Sequence, residues 1–222
     1  MDIAVSLIGG LGLFLFGMGY MGDGLQKSAG SKMKDILAAL TKNKLMGVLV
    51  GALVTGVIQS SSATTVMVVG FVNAGLMNLS QAVGIIMGAN IGTTVTAFLV
   101  SLNITKVATF MVGVGVALSL AAKKRKVKSV AEVIIGFGIL FIGMDIMKEA
   151  MVPLKSSPAF TDMMTNFRSP YLGILVGFIM TAILQSSSAT TGLLIAVAAT
   201  GIISFDQAYP VIFGQNIGTC VT

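Results

Sequence analysis

The chain has 222 residues, of which 55% are hydrophobic and 10% charged, with a net charge of +6. Soluble domains carry about 25% charged residues, so this composition argues against a soluble enzyme or a nucleic-acid-binding domain and points to a polytopic protein whose partner is the lipid bilayer. A single cysteine, Cys220, rules out an internal disulfide.

In chain order, residues 3–22 are apolar and Gly-rich and read as a first span. They lack a basic n-region and a small-residue cleavage site, so they are not a signal peptide and are expected to stay in the mature protein. Residues 24–44 form a polar loop with Lys27, Lys32, Lys34, Lys42 and Lys44, within which 31–41 is predicted to lie flat as an interfacial helix. Residues 45–79 are too long for one crossing and carry the polar run QSSSATT (59–65) in their middle. A re-entrant helical hairpin resolves this, with helices at 45–58 and 63–76 and a break at Gln59–Ser62. A segment at 81–101 is then expected to be broken by Asn90, Gly92, Thr93 and Thr94, and 104–122 form a further span. A second basic cluster, Lys123, Lys124, Arg125, Lys126 and Lys128, closes this stretch.

From about residue 131 the pattern repeats. QSSSATT recurs at 185–191, an offset of 126 (185 minus 59), and the same offset carries GANIGTTVT (88–96) onto GQNIGTCVT (214–222). It also carries Gly10, Gly12, Gly17 and Met18 onto Gly136, Gly138, Gly143 and Met144. Between 45–96 and 171–222, 23 of 52 positions are identical, and the retained residues are disproportionately polar. Packing alone would let Leu, Ile and Val exchange and would not keep Gln, Asn, Ser and Thr. The domains are therefore two transmembrane repeats, 1–126 and 127–222, the second ending before any counterpart of 104–122. If the two lysine-rich loops share the cytoplasmic face, each hairpin enters and leaves on one side, three crossings remain per repeat, and the second copy is inverted. The loop at 148–170 then lies outside. The fold class expected is an all-α polytopic membrane protein of two inverted-topology repeats, each with a re-entrant hairpin and a broken helix.

Paired interruptions in apolar helices are the sequence pointer to a transporter site. At each hairpin tip an incoming helix ends in carbonyls that suit a cation, and an outgoing helix begins with N–H groups that suit an anion. Gln59 and Gln185, the hydroxyls of Ser60, Ser61, Ser62, Thr64 and Thr65, and their copies Ser186, Ser187, Ser188, Thr190 and Thr191 can serve as ligands or donors. The plainer alternative makes Ser62 and Ser188 N-caps and the other serines interhelical bridges. Asn90, Thr93 and Thr96, with Asn216, Thr219 and Thr222, are either further oxygen ligands or packing contacts. Gly47, Gly51, Gly173 and Gly177 read as close-packing positions. No Lys or Arg occurs from 45 to 105 or from 169 to 222. An anion there needs accompanying cations bound to neutral oxygens, which suits a hard ion such as sodium. Asp145 is a counter-charge or an interfacial residue, and Asp206 a helix cap. With no histidine to activate a serine, an enzyme is excluded. A passive channel is the remaining rival class.

At these residues the chain resembles the type II sodium/phosphate cotransporter family, which has two QSSS motifs in inverted repeats, each followed by a GxNIGT stretch. The run GMDIM (143–147) resembles the family segment before the second repeat. The resemblance implies a multi-pass cell-membrane protein importing inorganic phosphate with Na+ as coupling ion, by alternating access. It implies phosphate contacts at Gln59–Ser62 and Gln185–Ser188, extended to Thr64 and Thr190. It implies sodium contacts at Gln185, Ser186, Thr219 and Thr222, extended to Gln59, Asn90, Thr93 and Asn216. Another oxyanion or a carboxylate is the alternative substrate. With the second copy ending at Thr222, complete transport is expected to require a second copy of the chain, in a homodimer.

Overall fold

The computed structural model describes residues 3–29, 43–102, 104–155 and 169–221. Among the described residues the regular elements are helices: α1 (Ile3–Ala29), α2 (Lys44–Ile58), α3 (Ser61–Asn73), α4 (Leu79–Ser101), α5 (Thr105–Ala121), α6 (Arg125–Lys155), α7 (Pro170–Leu184), α8 (Ser187–Ala199) and α9 (Phe205–Gly218), which ends in a 3-10 turn at Thr219–Val221. The interfacial helix expected at 31–41 and the sodium ligand expected at Thr222 lie outside the described residues, as does most of the loop 148–170.

Among the described residues three helices are long and apolar enough to cross a membrane: Ile3–Ser28, Leu79–Ser101 and Arg125–Pro153. Large apolar side chains face outward, among them Leu45, Leu49 and Leu53 along one stripe of α2, where lipid rather than water suits them. α2 and α3 have 15 and 13 residues, about 22 and 20 Å at 1.5 Å per residue, each short of a hydrocarbon core of about 30 Å.

Two compact units emerge. One comprises Met1–Gly19, Val100–Gly113 and Gly136–Thr222, the other Tyr20–Leu99 and Val114–Ile135. These boundaries cut across the sequence duplication because α1, α5 and α6 each supply a stretch to both units.

In the Gly136–Thr222 unit the core is Phe14, Met18, Val100, Ala108, Leu140, Phe141, Met144, Met147, Ala189 and Ala196. Here α1 and α6 cross on glycines. A methyl added at Gly10 would meet the Gly143 carbonyl oxygen at 2.8 Å, and one at Gly17 would meet that of Gly136 at 2.6 Å. Contacts advance along α1 as they recede along α6, so the pair is antiparallel. The match is reciprocal, because Gly136 and Gly143 lie 126 residues after Gly10 and Gly17.

In the Tyr20–Leu99 unit, Val50, Val54, Ile58, Val68, Met77, Ala82 and Ile85 pack α2, α3 and α4 together. Gly51 and Gly88 let α2 and α4 touch backbone to backbone, since a side chain at either would strike a carbonyl oxygen of the other helix. Gly177 and Gly214 do the same for α7 and α9 in the other unit. The expected close-packing role of Gly47, Gly51, Gly173 and Gly177 is thus met by these crossings.

Three expectations are corrected. The break at 90–94 is absent, and α4 runs uninterrupted from Leu79 to Ser101. Thr93 and Thr94 return their hydroxyls to the Ala89 and Ile91 carbonyls at 3.0 and 2.7 Å, so the helix satisfies them without opening. Gly92 serves packing instead, facing Thr55 and the backbone of Ala52 and Gly56. The counterpart helix α9 closes in a 3-10 turn at Thr219–Val221. Second, Asp206 does not cap α9. Ser204 is the N-cap, and its N–H is accepted by the Gln207 side chain at 3.0 Å. Asn78 and Gln81 form the equivalent reciprocal pair before α4, each bond 2.9 Å. Third, the basic cluster is not all loop, because α6 begins at Arg125 and continues past Asp145, which is exposed, to Lys155.

Candidate functional site

Each hairpin turns in two residues. α2 ends when Gln59 enters the left-handed region (φ 60°, ψ 23°), with its N–H bonded to the Thr55 carbonyl at 2.7 Å. Ser60 is extended, and its Oγ accepts the Ala63 N–H at 3.1 Å as the N-cap of α3. The second copy repeats this residue for residue. Gln185 (φ 55°, ψ 24°) bonds back to Thr181 at 2.7 Å, and Ser186 caps α8 through Ala189 N–H at 3.2 Å. The caps are therefore Ser60 and Ser186, not Ser62 and Ser188, and the break is narrower than the expected Gln59–Ser62. Left-handed backbone is costly for a residue with a Cβ, and among the described residues the two glutamines are the non-glycine positions that adopt it. Glycines hold the other positive φ angles, at Gly75 and Gly201 in the turns after α3 and α8.

Behind each tip lies a hydroxyl brace that sequence reasoning missed. Thr55 donates to Thr64 Oγ1 at 2.9 Å, and Thr64 donates to the Ser60 carbonyl at 3.1 Å. Thr181 and Thr190 repeat the contact at 2.9 Å, and Thr190 reaches the Ser186 and Ser187 carbonyls at 3.2 and 3.1 Å. All four threonines are fully buried. Thr64 and Thr190, expected at the anion, are thus placed inside the hairpin, tying its two helices together across the turn. The available signal was that Thr55 and Thr181 are an identical polar pair inside the repeated apolar stretch.

The tips differ in what surrounds them. Gln59 is half-buried and engaged at both ends of its amide, donating from Nε2 to the Gly56 carbonyl and accepting at Oε1 from Thr96, a buried residue of α4. Gln185 is exposed and donates to the Ala182 carbonyl. Ser61 and Ser62 are half-buried, whereas Ser187 and Ser188 are buried. Ser61 and Ser187, first in their helices, carry N–H groups with no intrahelical acceptor. Of the expected sodium ligands on the following helices, Asn90 and Asn216 are exposed. Thr93 and Thr219 are half-buried, and each donates to the carbonyl four residues back, at 3.0 and 2.9 Å. A donated hydroxyl keeps its lone pairs, so both oxygens retain acceptor capacity. The structure joins Gln59 to α4 through Thr96 rather than through Asn90 or Thr93. Among the described residues no cluster of three His, Cys, Asp or Glu is available to a metal ion, so any cation here meets neutral oxygens.

Each tip therefore offers helix-terminal carbonyls and amide oxygens to a cation, and serine hydroxyls and helix-terminal N–H groups to an anion, with no charged side chain in the turn. A family model described as Na+/Pi-cotransporter matches residues 13–149 and 155–222. The chain belongs to the Na+/Pi-cotransporter family. This is a family of transporters, not enzymes. An uncharacterized protein of Bacillus subtilis, YqeW, is 31% identical over 223 aligned residues, covering 100% of this chain and 72% of its own length. The putative inorganic phosphate export protein YjbB of Escherichia coli K12 is 26% identical over 97% of this chain but 40% of its own length. The sodium-dependent phosphate transport protein 2A of Rattus norvegicus is 40% identical over 98 residues, 43% of this chain and 15% of its own. No solved structure matches this Na+/Pi-cotransporter family chain.

Proposed function

We propose that the protein moves inorganic phosphate across the cell membrane coupled to sodium, inward under an inward sodium gradient, by alternating access of two inverted repeats. The observation that carries this reading is the hairpin tip built twice, with a left-handed glutamine followed by a serine-capped helix start, in a chain of the Na+/Pi-cotransporter family. The antiparallel, reciprocal crossing of α1 and α6 supports the inversion, and the shortness of α2, α3, α7 and α8 supports hairpins that enter and leave on one face. In this reading Gln59–Ser62 and Gln185–Ser188 meet phosphate. Sodium takes the oxygens of Gln59, Gln185, Ser186, Thr93 and Thr219, with Asn90, Asn216 and Thr222 completing its shell. Sodium binds first and orders the tips, and the anion follows. Outward transport is the second reading, favoured by the printed name of the Escherichia coli relative.

The test is radiolabelled phosphate flux in proteoliposomes, with sodium gradients imposed in each direction, potassium as control and sulfate as competitor. Sodium-driven accumulation that sulfate leaves untouched supports phosphate symport. Flux that ignores the sodium gradient sinks the coupling, and sulfate competition reassigns the substrate to oxyanions generally.

A further inference from the structure

Gln215 lies on α9, 1% exposed, and its Oε1 accepts the Thr191 hydroxyl at 2.7 Å. The amide oxygen is thereby engaged, and Nε2 points elsewhere. Among the described residues Nε2 is a buried side-chain donor without a hydrogen-bond partner. Buried amide hydrogens left unpaired are destabilising, so one that a fold retains calls for an explanation, of which a bound water or ion is one. Thr191 belongs to the second turn of α8, the helix capped by Ser186, so the orphan donor stands beside the first turns of the helix that leaves the second tip. The same turns hold the buried hydroxyl residues Ser187 and Ser188. The first copy has Ala89 at the equivalent position, so the extra donor belongs to the second tip alone.

We infer that Gln215 Nε2 donates a hydrogen bond to an oxygen of the transported oxyanion, making Gln215 an anion-binding residue of the second tip. The inference rests on the phosphate-transport reading. The chemistry of the unpartnered group selects an anion over a cation, because Nε2 carries only N–H hydrogens, which donate to an oxyanion's oxygens and offer sodium no lone pair. With no Lys or Arg from 169 to 222, oxyanion charge at this tip is met by neutral donors, and each added donor carries weight.

Gln215→Ala, which reproduces the residue of the first copy, and the near-isosteric Gln215→Glu test this. The protein is reconstituted for uptake with phosphate and sodium dependences measured separately, and phosphate-dependent melting is followed in detergent, which needs no transport. Both variants should raise the phosphate KM about tenfold or more, the range expected for a lost bond to a charged group, and should lose the phosphate-dependent melting shift. Sodium half-saturation should move less than twofold, and Gln215→Glu should be the more impaired. An unchanged phosphate KM with altered melting would make the partner of Nε2 structural and overturn the proposal. A change in sodium dependence alone would overturn it in favour of a cation ligand. A wild-type protein that neither binds nor carries phosphate would overturn both this inference and the transport reading, whereas active wild type with unaffected variants would overturn this inference alone.

Discussion

Replacing the left-handed glutamines by glycine separates backbone strain from ligand binding. Gln59 and Gln185 sit at φ 60° and 55°, a region that disfavours a Cβ by about 1–2 kcal/mol and that glycine enters freely. The relief is partly offset by the greater freedom of glycine in the unfolded chain, about 0.4–1 kcal/mol. Gln185→Gly also loses the bond from Nε2 to Ala182, which is exposed and contributes about 0.5 kcal/mol. These terms nearly cancel, so Gln185→Gly should leave stability within about 1 kcal/mol of wild type. Gln59→Gly differs because Thr96, fully buried, loses the acceptor for its hydroxyl. An orphaned buried donor costs about 1–3 kcal/mol, so this variant should be the less stable of the two by about that margin. Gln185→Ala, which keeps the Cβ, should lose about 1 kcal/mol relative to Gln185→Gly. Both glycine variants should nevertheless lose phosphate transport, because the amide groups at the tips are gone. Steric trapping or thermal melting in bicelles reads stability, and proteoliposome uptake reads function. Equal destabilisation by Gln185→Gly and Gln59→Gly would refute the Thr96 argument. Full uptake by both would refute the assignment of the glutamines to the site.

Thr55→Val and Thr181→Val keep shape but remove the hydroxyl brace, and each should destabilise by about 1–2 kcal/mol; Thr→Ser should recover most of it, and melting of the purified variants decides. Gly51→Ala places a methyl against the Ile85 carbonyl oxygen at the α2–α4 crossing, whereas Gly12→Ala meets nothing within 4 Å. The first should collapse yield and melting temperature, and the second should be neutral or gain up to about 1 kcal/mol of helix propensity. A neutral Gly51→Ala would show that the helices do not cross there. Lys27 and Glu132 pair at 2.8 Å with Lys27 well exposed. Exposed pairs contribute little, so the Lys27→Met and Glu132→Gln double-mutant cycle should show no coupling in melting temperature, and a clear coupling would place the pair in a drier setting.

A helical, membrane-type chain, the duplication at 126 residues and the two helix–turn–helix units at its QSSS runs were legible in the linear chain. Composition is set by the solvent a protein meets, and a repeat announces itself by identity that packing does not require. The turns at Gln59–Ser60 and Gln185–Ser186 were legible only in part, as polar runs in apolar surroundings whose expected breaks were two residues too long. Three-dimensional contacts decided the rest. Whether Thr93 and Thr94 open a helix depends on whether their hydroxyls can return to the Ala89 and Ile91 carbonyls, a choice that residue type leaves open. Whether Ser60 or Ser62 caps α3 follows from the single left-handed residue before it, and backbone dihedrals at a tight turn have no counterpart in hydropathy. Thr55, Thr96 and Gln215 acquire their parts only because close-packed glycines bring α2 to α4 and α7 to α9. Local pattern determined which segments are helical and where polarity is concentrated. Tertiary packing decided which polar atoms are engaged and left Gln215 Nε2 without a partner among the described residues, because hydrogen-bond satisfaction is a property of neighbours distant in sequence.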